Sequence, residues 1–110
     1  MTANEIATAV RGTVETLPPP DFPPITAAYT SDMLSDVMAH APEDSVLITI
    51  QNHINTIAVS TLAGVRAIMI CHSRPIPDDM KAVAAREGVA LISTPLPQFE
   101  ASVALAALSN

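Results

Sequence analysis

Glycine is scarce in this chain, with three among 110 residues: Gly12, Gly64 and Gly88. Each follows a stretch with helical character, and glycine just past a helix adopts the left-handed backbone at little steric cost. We therefore assign all three to helix ends, which leaves none for a loop that cradles phosphate. The chain also lacks the Walker-type, nucleophile-elbow, CxxC and HExxH patterns. These absences predict a protein that is not an enzyme and has no catalytic residues.

Charged and aromatic residues are also few. Asp, Glu, Lys and Arg make up 15% of the chain, the net charge is −6, and there is no tryptophan. Ordinary soluble domains contain about 25% charged residues. The five basic residues are spread along the sequence, whereas a nucleic-acid site needs clustered basic residues and stacking aromatics. The composition predicts no nucleic-acid partner, and it predicts that another protein covers part of the surface.

Cysteine occurs once, as Cys71 at the end of an apolar run, which is typical of a buried thiol in a reducing compartment. No apolar run approaches the ~20 residues of a membrane span, and residues 1–10 lack the basic flank of a signal peptide. We therefore expect a cytoplasmic protein with no membrane partner. His53, His72 and Cys71 lack the paired spacing of zinc sites, so we expect no metal site, and no cofactor is predicted either.

What the chain does have is a pattern that occurs three times between residues 45 and 110: a short β-branched run, a polar turn and a helical stretch. The runs at 46–50, 65–71 and 89–93 are joined by helix-length crossovers, which predicts parallel strands. Residues 25–29 and 31–41 fit a further strand and a further helix. The predicted fold class is α/β, with a sheet that is at least partly parallel.

The first 24 residues differ from the rest of the chain. Thr2 and Glu5 form a capping-box pair at the start of a short helix. Five prolines between residues 17 and 24 lack the amide donors that a helix or a central strand requires, which indicates a stiff connector. We therefore divide the chain into residues 1–24, an N-terminal helix and proline-rich arm, and residues 25–110, an α/β domain.

Two of the predicted helices carry almost no charge. Residues 53–63 contain no Asp, Glu, Lys or Arg, and residues 98–109 contain only Glu100. A helix that covers a small sheet exposes one face, and exposed apolar surface of this kind marks protein interfaces. We predict a homodimer that forms through these charge-poor helices, although alanine-rich helices also tolerate apolar outer faces.

Polar residues follow the predicted strands at one edge of the sheet. Open parallel sheets bind ligands outside the carboxyl ends of their strands, beside helix N-termini that favour anions. Arg74 is the basic residue best placed there to meet an anion. The alternative interpretation gives each residue a local role, such as a helix cap for Asn52 or a turn for His72 and Ser73. The candidate ligand-binding residues are Gln51, Asn52, His53, His72, Ser73, Arg74 and Thr94.

Several stretches fall in a recognisable order: SDMLSDV at 31–37, LITIQNH at 47–53, AGV at 63–65 before IMI at 68–70, and ISTP at 92–95 before Phe99 and Glu100. From about residue 25 to residue 108 the chain resembles the DRTGG-domain family, in particular its small stand-alone members. The resemblance implies a three-layer α/β/α fold with a mostly parallel sheet, like the N-terminal domain of HPr kinase/phosphorylase. It also implies dimer formation and, in some relatives, a regulatory adenine-nucleotide site near the strand ends.

The chain departs from the residues that name this family. By register, the Asp-Arg pair falls on Asn52-His53, and Thr-Gly-Gly falls on Cys71-His72-Ser73. Two glycines are thereby replaced by residues with side chains, which changes how closely a ligand can approach the backbone. Nucleotide binding is therefore not carried over directly, and kinase activity is not implied.

These observations predict a non-enzymatic regulatory or ligand-sensing module that dimerises and binds a nucleotide-like or anionic effector at the carboxyl edge of the sheet. The stand-alone relatives suggest a protein partner in a redox or signalling system. The alternative is a protein adaptor without a small-molecule ligand, and a third hypothesis is a small enzyme that uses His53 or His72.

Overall fold

Five strands form one sheet and five helices cover its two faces in the computed structural model, which describes residues 1–109. The elements in chain order are α1 (Ala3–Ala9), β1 (Thr13–Thr16), β2 (Ala27–Thr30), α2 (Leu34–His40), β3 (Ser45–Thr49), α3 (Ile54–Ala63), β4 (Ala67–Ile70), α4 (Asp78–Glu87), β5 (Ala90–Ser93) and α5 (Gln98–Ser109).

The strands lie in the order β1-β5-β4-β3-β2. Strands β2 to β5 are mutually parallel, and β1 pairs with β5 in the antiparallel direction. The three runs predicted to be parallel therefore lie side by side, with Ile48 opposite Met69 and Met69 opposite Ile92. The predicted mostly parallel α/β sheet is confirmed.

Both faces of the central strands are buried, which explains their continuous apolar runs. Because side chains alternate across a strand, Ile48, Met69 and Ile92 pack toward α1 and α5, while Leu47, Ile68 and Leu91 pack in a second core cluster with residues of α2, α3 and α4. The result is the expected three-layer α/β/α arrangement.

The N-terminal segment (residues 1–16, comprising α1 and β1) lies against the same core. Ile6 and Val10 are fully buried, and they belong to the cluster that contains Ile48 and Met69. Strand β1 forms one edge of the sheet, with an irregularity in its register between Val14 and Thr16. Residues 1–16 therefore share core and sheet with the rest of the chain, and a domain boundary after residue 24 stays a prediction.

Two of the three glycines have the predicted role and one has another. Gly64 and Gly88 end α3 and α4 with φ of 79° and 70°. After α1 the left-handed residue is instead Arg11, with φ of 57°. Gly12 is required for a different reason, because a Cβ there would lie less than 3.0 Å from the carbonyl oxygen of Ser93. A side chain at position 12 is therefore excluded by the close approach to β5, and not by a helix-cap conformation.

The two charge-poor helices lie on opposite faces of the sheet, since α3 contributes to one core cluster and α5 to the other. Each exposes large apolar side chains to solvent: Leu62 on α3 and Phe99 on α5 are both 76% exposed. A flat interface on one face of the sheet would therefore cover only one of the two helices. Within residues 1–109, no helix has the length and apolar character needed to cross a bilayer.

Candidate functional site

A cavity of about 300 Å³ opens where β4 and β5 end, next to the start of β1. It lies at the carboxyl edge of the parallel strands, where ligands of open α/β sheets bind. Its lining comprises Arg11, Gly12, Thr13 and Glu15 of the N-terminal segment, residues 73–76 after β4, Lys81 of α4, and residues 93–95 at the end of β5. We call this the edge cavity.

The edge cavity collects basic side chains from distant parts of the chain. Arg11, Arg74 and Lys81 line it, which is three of the five basic residues of a protein with net charge −6. Glu15 is the one acidic side chain in the lining. Because low-dielectric walls concentrate the field of like charges, a cavity of this composition attracts small anions.

Within residues 1–109, Glu15 and Lys81 have side-chain partners in the cavity, whereas Arg11 and Arg74 do not. The Glu15 carboxylate accepts a hydrogen bond from the Ser93 hydroxyl at 2.9 Å, and its other oxygen lies 3.7 Å from the Lys81 ammonium. Among the described residues, neither the Arg11 nor the Arg74 guanidinium has a hydrogen-bond or ion-pair partner. Two guanidinium groups therefore keep their donors available, and guanidinium is the side chain best suited to bidentate contact with phosphate.

The loop after β4 brings Ser73 and Arg74 to the cavity through an uncommon backbone. His72 and Ser73 have φ of 63° and 53°, in the left-handed region that favours glycine. These are the positions that the DRTGG resemblance aligns with two glycines. The amides of His72 and Ser73 donate to the carbonyl oxygens of Leu96 and Thr94 at 2.8 and 3.0 Å. These backbone donors are already used, so an anion here would be held by side chains.

Thr94 lines the cavity but its hydroxyl is committed to the protein. The group is buried, donates to the Val10 carbonyl oxygen at 2.6 Å and accepts from the Leu96 amide at 3.1 Å. Thr94 therefore ties the end of β5 to the end of α1, and it shapes the cavity wall.

Four of the seven predicted site residues lie outside the lining of the edge cavity: Gln51, Asn52, His53 and His72. The Gln51 amide nitrogen donates to the Asp32 carbonyl oxygen at 2.6 Å, and its amide oxygen lies 3.1 Å from Nε2 of His53. Gln51 and His53 follow β3 and share the strand edge with the cavity, but their polar atoms contact each other and the loop before α2.

Asn52 does not cap α3, because the N-cap residue is His53. Instead, the Asn52 amide nitrogen donates to the Pro75 carbonyl oxygen at 2.7 Å and joins the loop after β3 to the loop after β4. Of the predicted residues, the structure thus brings together Ser73, Arg74 and Thr94. A ligand-binding role stays a prediction for all seven.

The sequence-based prediction did not include Arg11, Glu15 or Lys81. Arg11 and Glu15 lie in residues 1–24, the predicted N-terminal helix and arm, and Lys81 lies on α4, away from the polar turns that follow the strands. No spacing in the sequence links them to Arg74, because the antiparallel addition of β1 beside β5 creates the juxtaposition. The one local signal is Arg11, which comes directly before a glycine at a helix end.

Cys71 directly follows β4, close to this site, but is not a reactive thiol. The side chain is buried, and burial raises the pKa of the thiol to about 11. At neutral pH it is therefore uncharged and a poor nucleophile. Across residues 1–109 there is no cluster of three His, Cys, Asp or Glu side chains with a geometry suited to a metal ion.

No protein-family model matches the chain, and no curated protein sequence matches it. The structure is similar to that of the CBS and DRTGG domains of the regulatory region of Clostridium perfringens pyrophosphatase, in a complex with the activator diadenosine tetraphosphate. The TM-score is 0.78 at 14% sequence identity, and the likeness covers 94% of this chain and 45% of that chain. The chain thus spans less than half the length of the pyrophosphatase region and shares a fold found within it, while membership of the DRTGG family stays a prediction.

Proposed function

We propose that this chain is a non-enzymatic regulatory module that binds a small phosphorylated or nucleotide-like effector in the edge cavity. The observation that carries this proposal is the convergence of Arg11, Arg74 and Lys81 on one cavity in a chain with only five basic residues. An acidic protein gathers most of its positive charge at one site, which favours an anionic ligand. The Ser73 and Thr13 side chains add polar groups to the lining.

The chemistry of the cavity supports binding over catalysis. The lining contains no histidine and no cysteine, so its serine and threonine hydroxyls have no imidazole in the lining to activate them as nucleophiles. Its carboxylate, Glu15, is engaged by Ser93 and Lys81. These side chains suit an effector that is held by charge and hydrogen bonds and released unchanged.

The structural neighbour supports a regulatory role at the level of fold. That protein region is regulatory and was determined with a nucleotide activator. At 14% identity, neither its ligand site nor its contacts can be transferred, so the edge cavity is proposed on its own geometry. The cytoplasmic location and the protein partner in a redox or signalling system stay predictions.

Binding can be tested by differential scanning fluorimetry and calorimetry with pyrophosphate, ATP and diadenosine tetraphosphate, against potassium chloride at matched ionic strength. A ligand that binds the folded state raises the melting temperature. Arg74→Gln should weaken binding by about tenfold or more, because it removes a charged hydrogen-bond donor. Arg86→Gln is the matched control, since Arg86 is an exposed arginine that does not line the cavity.

Two outcomes would contradict the effector proposal. One is that none of the three phosphate compounds stabilises the protein beyond the chloride control. The other is that Arg74→Gln and Arg86→Gln have the same effect on binding, which would mean that general charge and not the edge cavity attracts the anion.

A homodimer or an adaptor function is the second candidate, favoured by the exposed apolar side chains of Leu62, Phe99 and Val103. Because α3 and α5 lie on opposite faces, we propose that one of them forms the two-fold contact and the other is left for a further protein. Sedimentation velocity on the wild type, Leu62→Lys and Phe99→Lys tests this. The variant on the interface helix should become monomeric, and a wild type that is monomeric at tens of micromolar would refute the dimer.

A further inference from the structure

The edge cavity is built by two parts of the chain that are far apart in sequence. The N-terminal segment supplies Arg11, Thr13 and Glu15, and the parallel sheet with α4 supplies Arg74 and Lys81. An anion held there contacts both parts at once. Its binding energy then depends on the N-terminal segment being in place.

Strand β1 is the weakly paired part of the N-terminal segment, whereas α1 before it packs in the core. Strand β1 is an edge strand of four residues with an irregular register. The connector that follows it contains five prolines between residues 17 and 24, which cannot donate to the sheet. It turns where the Phe22 amide donates to the Pro19 carbonyl oxygen at 3.0 Å. Short edge elements of this kind populate open states at lower free energy than central strands.

Besides the core packing of Ile6 and Val10, polar contacts hold the segment at the cavity and along β1. Thr94 donates to the Val10 carbonyl oxygen at 2.6 Å, and Ser93 donates to Glu15 at 2.9 Å. Thr16 adds a bond from its hydroxyl to the Val89 carbonyl oxygen at 2.9 Å. In opposition to these contacts, closing the segment brings the Arg11 guanidinium to the cavity that contains Arg74 and Lys81, of which the Glu15 carboxylate of the same segment offsets Lys81.

We infer that the N-terminal segment is a ligand-controlled clasp: an anion in the edge cavity neutralises the repulsion between Arg11 and the cations of the body and locks α1 and β1 onto the sheet. This inference rests on the proposed anion site. The effector signal would thus be read out as closure of residues 1–16, and a partner could sense that closure on the outer surface of α1 and along β1.

Hydrogen–deuterium exchange of the full chain with and without pyrophosphate tests the clasp. If opening of the segment requires loss of the anion, its opening constant falls by the factor 1 + [L]/Kd, which is about tenfold at ten times Kd. We expect that gain in protection for the amides of α1 and β1. The amides of β3 and β4, which exchange through global unfolding, should gain the same factor, because unfolding also releases the anion, and they report that binding has occurred.

In the Arg11→Gln variant the amides of α1 and β1 should lose this gain, because the segment then has no charged contact with the anion, while the amides of β3 and β4 keep the gain that the remaining affinity gives. Arg86→Gln should keep both gains. The clasp would be overturned if the gain in α1 and β1 survived in full in Arg11→Gln, or if wild-type β3 and β4 gained protection and α1 and β1 did not.

The two proposals fail in different ways. If calorimetry shows that pyrophosphate binds and Arg74 is required, but the exchange of α1 and β1 does not slow, the clasp is wrong and the effector site stands. If pyrophosphate does not bind, the site and the clasp are both refuted.

Discussion

Replacement of Gly12 by alanine is the sharpest test of how the N-terminal segment meets the sheet. A Cβ at this position would lie less than 3.0 Å from the Ser93 carbonyl oxygen and 3.3 Å from Cγ2 of Val10. The first of these partners is backbone, which has no rotamer to change. Relief therefore requires β1 to move away from β5, at the point where Thr13 pairs with Ser93.

The size of the effect follows from three contributions. Overpacking of this kind destabilises by about 1–3 kcal/mol, and weakening of the Thr94 hydrogen bond to Val10 adds about 1 kcal/mol. The loss of glycine freedom in the unfolded chain offsets about 0.4–1 kcal/mol. The net decrease in the free energy of unfolding is about 1–3 kcal/mol, which corresponds to a fall in melting temperature of roughly 5–15 °C.

Urea denaturation followed by circular dichroism measures this free energy, and Gly88→Asn is the matched control. Gly88 has φ of 70°, and the nearest atom to an added Cβ is Pro19 Cδ at 3.7 Å, so asparagine fits with a loss below about 1 kcal/mol. Exchange data should locate the damage in β1. If the free energy of unfolding of Gly12→Ala lies within about 0.5 kcal/mol of the wild-type value, the close approach of β1 to β5 is refuted. The wall of the edge cavity that depends on this approach is then refuted as well.

Three further predictions concern other parts of the fold. Ile6→Ala should lower the free energy of unfolding by about 2–5 kcal/mol in urea denaturation, because Ile6 is fully buried. The control Thr8→Ala, at an exposed position of the same helix, should change it by less than about 0.5 kcal/mol. Equal effects of the two substitutions would show that α1 is not part of the core. The pKa of Asp36 is lowered, chiefly because the Tyr29 hydroxyl donates a hydrogen bond to its carboxylate at 2.6 Å. The stability that this hydrogen bond contributes is therefore present above the ordinary carboxyl pKa and is lost as the pH falls through the lowered pKa. Tyr29→Phe should raise the Asp36 pKa in an NMR titration, and an unchanged value would refute the bond. Cys71, whose pKa burial raises to about 11, should resist a thiol reagent at pH ~8 until urea is added, and full modification of the native protein would contradict its burial.

The central elements were predictable because their causes are local. The runs that became β3, β4 and β5 are apolar and rich in β-branched residues, and each is followed by a helix-length stretch, so parallel pairing was the remaining way to connect them. Gly64 and Gly88 end helices because the left-handed conformation there favours a residue without a side chain. The edge at which ligands are expected follows from strand direction, and Ser73 and Arg74 line the edge cavity there.

The N-terminal segment was not predictable in the same way. Its capping box indicated a helix, and Thr2 and Glu5 do form both bonds of that motif. The proline-rich stretch after it suggested an arm, yet β1 joins the sheet in the antiparallel direction and α1 packs on α5 in the core. Proline prevents pairing within the connector itself and says nothing about the element before it.

By itself, then, the order of apolar runs, polar turns and glycines determined the α/β class, the parallel core of the sheet and the edge that carries the candidate site. Only the tertiary structure decided which side chains meet there. Arg11 and Arg74 are more than 60 residues apart in the chain, and they share a cavity because β1 closes the sheet beside β5. Local patterns encode the conformation of a segment, whereas the convergence of charges depends on long-range strand pairing, which no short window of sequence contains.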